Sequence, residues 1–155
     1  MIIDETSSTI AAWGAVFCSI LGCLGNILTI FVLLRRRSLR KHSTTPFLLS
    51  LAFSDLGFCT FNLPLMAVRF FERDWIFRLC TCKLFPFFFY SNISISALSL
   101  AGVALNRYVG IFYPHLMEKI FSRTKSCFMV LLVWLFSFGN ISIFSKNLIY
   151  FYKFA

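Results

Sequence analysis

The stretch LFPFFFYSNISISALSLAGVALNRY, residues 84–108, decides the fold. No charged residue occurs between positions 84 and 105, and the first charge after this run is the guanidinium of Arg107. At ~1.5 Å per residue in a helix, the run is long enough to cross a ~30 Å hydrocarbon layer. It therefore predicts a transmembrane helix that carries an arginine at one end.

Three further runs of membrane-spanning length occur in the chain, one of them broken only by Asp55. The chain has 155 residues, of which 59% are hydrophobic and only 14% charged, and a small soluble core could not enclose this much apolar surface. We predict an all-α polytopic membrane helix bundle with four transmembrane helices. Their approximate ranges are 10–34, 44–68, 80–107 and 126–145, preceded by an extracellular N-terminus at 1–9 and followed by a divergent C-terminal end at 146–155.

The basic residues predict the orientation of these helices. The segment RRRSLRKHS, residues 35–43, carries five Lys or Arg, residues 107–125 carry four, and the segment before the first helix carries none. Because Lys and Arg favour cytoplasmic loops, we expect an extracellular N-terminus and two cytoplasmic basic segments. The net charge of +9 then reflects topology in a lipid bilayer, and we expect no nucleic-acid partner.

Three of the predicted helices carry a polar residue at a similar depth. Asn26, Asp55 and Ser96 lie ~13–18 Å from the cytoplasmic edge, and Asn92 lies one turn from Ser96 on the same face. An isolated carboxylate at mid-membrane costs at least ~2.5–3.5 kcal/mol, so Asp55 should face the bundle interior. Two interpretations stay open: an ion or proton site, with sodium at Asp55 and Ser96 as the candidate metal, or hydrogen bonds that only join helices.

Short motifs in the predicted helices and loops resemble those of rhodopsin-like G-protein-coupled receptors. In chain order they are Gly25-Asn26, LAFSDL at 51–56, Trp75 with Phe77, Cys82, the triplet NRY at 106–108, Pro114 and Trp134. The resemblance covers about residues 25–134, and its specificity comes from the order of the whole set. Within the family, the asparagine of the triplet resembles that of melatonin receptors and of the insect moody and trapped-in-endoderm receptors.

The resemblance implies that Arg107 takes part in signalling. It implies that Arg107 packs against other helices at rest and meets the α-subunit of a heterotrimeric G protein when the bundle opens. Tyr108 would lie beside it, and the second inner loop, formed by Ile111, Phe112 and Pro114, would pack into a groove of the G protein. Asn106 replaces the acidic residue usual in the family, so we expect hydrogen bonds rather than an ion pair to restrain the resting state. The alternative is an arginine that only anchors the helix end in the headgroups.

The resemblance also carries implications for the extracellular side. Cys82 would form a disulfide with a loop after the fourth helix, but no cysteine follows Cys127, so we expect no such bridge within this chain. Phe89 stands where amine receptors carry an aspartate, which argues for an unknown extracellular ligand other than a biogenic amine. We expect structural roles for Trp75 and Trp134.

The function that the resemblance implies is reception of an extracellular signal at the plasma membrane, by a multi-pass protein that couples to heterotrimeric G proteins in its full-length form. We expect this chain to be a truncated receptor, because no fifth, sixth or seventh apolar run follows the fourth. A four-span membrane scaffold or adhesion protein without signalling activity is the alternative. We find no nucleotide-binding loop or catalytic triad, so we expect no enzyme and no cofactor apart from the candidate sodium ion.

Overall fold

Long helices joined by short turns make up this computed structural model of the protein. The structure describes residues 5–74, 76–77 and 79–154, and all of their side chains except those of residues 79–80, 82–83 and 140–154. In chain order the helical segments are α1 (Glu5–Arg35), α2 (Arg37–Lys41), α3 (Thr45–Gly57), a π-helical turn (Phe58–Asn62), α4 (Leu63–Glu72), α5 (Leu79–Phe112), α6 (Pro114–Ile120) and α7 (Arg123–Phe154).

In the described part of the chain, three helical stretches are long and apolar enough to cross a membrane: α1, the stretch Thr45–Glu72, and Leu84–Phe112 within α5. The second stretch contains α3, the π-helical turn and α4. Helix α6 and the part Arg123–Gly139 of α7 meet at 61° and together form a fourth candidate span. The described part of the chain contains no strand. These features confirm the predicted all-α membrane helix bundle.

The π-helical turn in the second span follows from Pro64. The Leu63 N–H donates to the Phe58 carbonyl, five residues back. In this register the Cys59 carbonyl would accept from Pro64, which has no N–H. The Ser19 hydroxyl of α1 donates to the Cys59 carbonyl at 2.6 Å instead. Because an unsatisfied carbonyl in hydrocarbon costs several kcal/mol, this bond fixes α1 against the π-helical turn.

Two glycines allow neighbouring helices to approach closely. A Cβ atom at Gly102 of α5 would lie 2.5 Å from Cε1 and 2.6 Å from Cδ1 of Phe47 in α3. A Cβ atom at Gly22 of α1 would collide with the Cys59 side chain. Small residues at contacts are a common means of helix packing in membranes. Gly102 thus sets the distance between α3 and α5, and Gly22 that between α1 and the π-helical turn.

Polar contacts tie the start of α1 to the end of α4. Helix α4 ends at Glu72, and Arg73 adopts the left-handed conformation, with φ 55°, that is common directly after a helix. The Arg73 guanidinium pairs with the Glu5 carboxylate. The Ser8 hydroxyl donates to the Phe70 carbonyl at 2.6 Å. We call this side of the bundle the Glu5 end.

The opposite side of the bundle, which we call the Arg107 end, is shaped by a proline. Helix α5 continues past Arg107 to Phe112, and α6 begins at Pro114. A proline disfavours helical conformation in the residue before it, and Tyr113 accordingly has φ −136° and ψ 58°. The basic residues at positions 35–41, between α1 and α3, lie at this end as well.

Candidate functional site

Polar side chains join α5 to α3, to the turn before α3, and to α7; we call this set the polar seam. Its hydrogen-bonded pairs are Ser43 with Asn106, Ser50 with Ser99 and with Trp134, Ser54 with Asn92, Asp55 with Ser96, and Ser94 with Ser137. On α5, positions 92, 96, 99 and 106 recur at helical spacing and share one face. Each such bond between membrane helices contributes ~0.6 kcal/mol on average and up to ~1.7 kcal/mol.

Asp55 is half-buried in the middle of the seam. The Ser96 hydroxyl donates to its Oδ1 atom at 3.0 Å. The Asn92 amide donates to the hydroxyl of the neighbouring Ser54 at 2.8 Å. The Asn26 amide donates to the Gly22 carbonyl of its own helix at 2.9 Å. The structure therefore brings Ser96 to Asp55 and Asn92 to the adjacent residue, whereas the hydrogen bond of Asn26 stays within α1.

Asp55 and Ser96 provide two oxygen atoms of the kind that small hard cations bind. Such cations prefer carboxylate, hydroxyl and carbonyl oxygens, and Asp55 Oδ1 and Ser96 Oγ lie 3.0 Å apart. In the described part of the chain, no group of three or more His, Cys, Asp and Glu side chains could hold a metal ion. A cation at Asp55 would therefore depend on hydroxyl, carbonyl or water oxygens for its remaining ligands.

Trp134 joins three helices at one point of the seam. Its Nε1 atom donates to Ser50 Oγ at 2.9 Å, and the Ser50 and Ser99 hydroxyls lie 3.2 Å apart. The indole ring also packs against Phe138 with centroids 5.6 Å apart. Sequence reasoning singled out Trp134 but missed the two serines. The signal that could have identified these serines is their occurrence in apolar helices, because small polar residues there commonly face other helices.

Asn106 connects the Arg107 end of α5 to the turn before α3. Its side chain is 2% exposed, and its amide donates to Ser43 Oγ at 3.0 Å. The sequence led us to expect hydrogen bonds in place of an ion pair at Asn106, but it did not identify Ser43 as the partner. The hydrogen bond gives the asparagine a structural role, because it holds the end of α5 to the chain segment that leads into the second span.

Arg107 lies next to this connection and is exposed. Among the described residues, its guanidinium has no hydrogen bond or ion pair. The Tyr108 ring contacts the ring of Phe112, with centroids 4.9 Å apart, and that of Tyr113, at 6.1 Å. Phe112 and Ile111 are 64% and 73% exposed. The Arg107 end therefore presents an exposed guanidinium, unpaired among the residues that the structure describes, beside an exposed apolar surface that ends at Pro114.

Aromatic side chains fill the half of the bundle toward the Glu5 end. The Phe89 ring lies 5.6 Å from that of Phe58 and 6.0 Å from that of Phe85, centroid to centroid. Phe89 thus packs against the second span and offers no charge. Trp75 and the side chain of Cys82, both singled out from the sequence, lie outside the part that the structure describes.

Comparison with known proteins places this geometry in a family. Residues 25–146 match the family model described as 7 transmembrane receptor (rhodopsin family). The chain is 41% identical over 137 residues to the protein trapped in endoderm-1 of Drosophila melanogaster, which is 88% of this chain and 35% of that protein. It is 37% identical over 136 residues to the G-protein coupled receptor moody of the same species, which is 88% of this chain and 20% of that protein.

The fold matches a solved receptor structure as well. The crystal structure of squid rhodopsin superposes with a TM-score of 0.81 at 28% identity, over 90% of this chain and 38% of the squid chain. This chain thus spans less than two fifths of the length of each of these three proteins. The matches confirm the resemblance that the sequence motifs indicated. The chain is a multi-pass membrane protein, and it belongs to the rhodopsin family of seven-transmembrane receptors.

Proposed function

We propose that this chain supplies the first four helices of a receptor that transmits an extracellular ligand signal to a heterotrimeric G protein through the Arg107 end. The observation that carries the proposal is the exposed Arg107 beside the apolar surface of Ile111 and Phe112. The name of the moody relative, a G-protein coupled receptor, supports it. The family consists of receptors, and we assign the chain no catalytic reaction.

The Arg107 end is suited to bind a peptide segment. A guanidinium is permanently charged and presents five N–H donors in a planar fork, which can bind carboxylate or carbonyl oxygens at a chain terminus. No carboxylate at position 106 competes for it, since Asn106 is neutral and bonded to Ser43. The exposed Ile111 and Phe112 would bury apolar surface of the G protein. Pro114 orients this surface by ending α5.

The proposal also includes the orientation of the chain in the membrane and the class of its ligand. The basic residues at the Arg107 end favour a cytoplasmic position for it, and hence an extracellular N-terminus in the plasma membrane. The ligand would bind from the Glu5 end, where Phe89 provides aromatic surface in place of the carboxylate that an amine requires. We therefore propose a ligand other than a biogenic amine.

The experiment that tests this function uses a receptor chimera in which this chain replaces the matching segment of the G-protein coupled receptor moody. We expect the chimera to reach the cell surface and to catalyse GTP exchange on a G protein in membranes, at a rate within about threefold of the parent receptor. A surface-expressed chimera without exchange activity, beside an active parent, would exclude the proposal. It would favour a scaffold or adhesion role.

Asp55 and Ser96 give a second test of the same receptor. We propose that a sodium ion at these oxygens stabilises the resting bundle, so replacing potassium with sodium at constant ionic strength should slow exchange by about fivefold or more. We expect Asp55→Asn to abolish this sodium dependence. The matched control is Ser94→Ala, which removes a seam hydrogen bond to Ser137. Sodium dependence that persists in Asp55→Asn would leave the seam with a structural role only.

A further inference from the structure

A serine that the proposed signalling does not use lies among the basic residues that follow α1. The segment RRRSLRK, residues 35–41, carries five Lys or Arg around Ser38, and all seven residues are exposed. We call it the inner basic segment. No Asp or Glu occurs between Glu5 and Asp55 in the sequence, so no neighbouring carboxylate along the chain neutralises these charges.

The Ser38 hydroxyl is accessible, whereas the hydroxyls that follow it are not. Ser38 is exposed, and among the described residues its hydroxyl has no hydrogen bond. Ser43 is only partly exposed and accepts a hydrogen bond from Asn106. Thr44 and Thr45 are buried. Of the four hydroxyl side chains between α1 and the first turn of α3, Ser38 is therefore the one that an enzyme could reach directly.

The residues around Ser38 have the chemistry of a substrate for a basophilic serine kinase. Such kinases bind arginines that stand two and three residues before the serine to carboxylates in the substrate groove, and they bind an apolar residue directly after it. Arg35 and Arg36 occupy the first two places, and Leu39, 38% exposed, occupies the third. The planar guanidinium fork matches a carboxylate, and patterns of this kind distinguish one kinase substrate from another.

The backbone of the segment can adopt the extended form that a kinase groove requires. Arg36 is already extended, with φ −81° and ψ 106°, and it makes no side-chain cap to α2. Helix α2 has five residues, and isolated helices shorter than ~12 residues are marginal in water. Opening α2 around Ser38 therefore has a small cost, and the break at Arg36 separates this opening from α1.

We propose that Ser38 is a phosphorylation site for a basophilic serine kinase. The Ser38 hydroxyl oxygen forms a bond to the γ-phosphorus of ATP, while the bond from that phosphorus to the β–γ bridging oxygen breaks and ADP leaves. The hydroxyl proton passes to the catalytic aspartate of the kinase. A phosphoserine carries about −1.5 to −2 charges, so it cancels up to two of the five positive charges of the inner basic segment. In a cell, the site rests on the cytoplasmic orientation proposed above.

Phosphate transfer to the purified 155-residue chain in detergent micelles tests the proposal. Both ends of the bundle are accessible in micelles, so the result depends neither on orientation nor on coupling to a G protein. The probe is the catalytic subunit of cyclic-AMP-dependent protein kinase, and casein kinase 2, which prefers acidic substrates, is the control. We expect about one phosphate per chain from the first kinase, at least about tenfold faster than from the second. Ser38→Ala should abolish the transfer, whereas Thr124→Ala, which removes another exposed hydroxyl of this end, should leave it unchanged.

Two pairs of charge variants separate specific recognition from general positive charge. We expect Arg35→Gln with Arg36→Gln to lower kcat/KM of the first kinase by about tenfold or more. Arg40→Gln with Lys41→Gln removes the same charge after the serine and should stay within about threefold of the unmodified chain. Circular dichroism verifies equal helix content, and peptide mass spectrometry locates the phosphate. No transfer, a phosphate on another residue in place of Ser38, or an equal loss in both glutamine pairs would each overturn the proposal.

Discussion

Replacing Arg107 with alanine in the receptor chimera is expected to lower the rate of GTP exchange on the G protein by tenfold or more. The guanidinium is exposed and, among the described residues, unpaired, so its donors are available to the G protein. A hydrogen bond to a charged group contributes about 1.5–3 kcal/mol, and the loss of one such bond already corresponds to about tenfold in an equilibrium constant. Arg107→Lys keeps the charge but loses the fork, and should retain part of the activity.

The matched control is Arg123→Ala, which removes an exposed arginine at the first position of α7 from the same end of the bundle. We expect this variant to keep the exchange rate of the chimera within about twofold, because screening weakens the effect of a single exposed charge. Surface expression of each variant is measured in parallel. If both arginine variants lowered exchange equally, Arg107 would act only through the net charge of this end.

Replacing Gly102 with alanine is expected to destabilise the bundle by ~1–3 kcal/mol. The new Cβ atom would lie 2.5 Å from Cε1 of Phe47, and that ring is 2% exposed, so it has no free space to move into. Overpacking of a filled core has a cost in this range. Thermal unfolding of the 155-residue chain in lipid nanodiscs, followed by circular dichroism, measures the effect.

Gly25→Ala is the matched control, because a Cβ atom at Gly25 meets nothing within 4 Å. Alanine is the better helix former by about 1 kcal/mol in water, so this variant should be neutral or more stable. Adding Phe47→Leu to Gly102→Ala should recover part of the lost stability, since the shorter side chain vacates the ring position. Equal effects of the two glycine replacements would show that α3 and α5 are not in close contact at Gly102.

The membrane-spanning helices could be predicted because bilayer thickness fixes the length of an uncharged run. The depth of each polar side chain could also be predicted, because the rise per residue sets its level along the membrane normal. Asp55 and Ser96 were expected at one level, and in the structure a hydrogen bond of 3.0 Å joins them. Depth does not determine the rotation of a helix about its axis. For this reason the hydrogen bond of the Asn26 amide within its own helix was not predicted.

Most of the polar seam could not be predicted, because a hydroxyl in a membrane helix has two ways to satisfy its donor. Thr29 and Thr60 donate to carbonyls four residues back in their own helices, both at 2.8 Å. Ser19 instead donates to a carbonyl of another helix. The sequence does not distinguish the two outcomes, since they depend on which face packs against a neighbour. The bond between Asn106 and Ser43 likewise required the position of a turn 63 residues away in sequence.

The most direct test of the central claim is contact between the Arg107 end and a G protein. A photo-crosslinking phenylalanine analogue is placed at Phe112 of the receptor chimera, and at Trp13 as the control. Both side chains are exposed, 64% and 63%, but Trp13 is near the Glu5 end. After irradiation with nucleotide-free G protein, we predict an adduct with the α-subunit from position 112 that GTP abolishes, and none from position 13. No adduct from position 112 in a chimera that still activates the G protein, or equal adducts from both positions, would contradict this account.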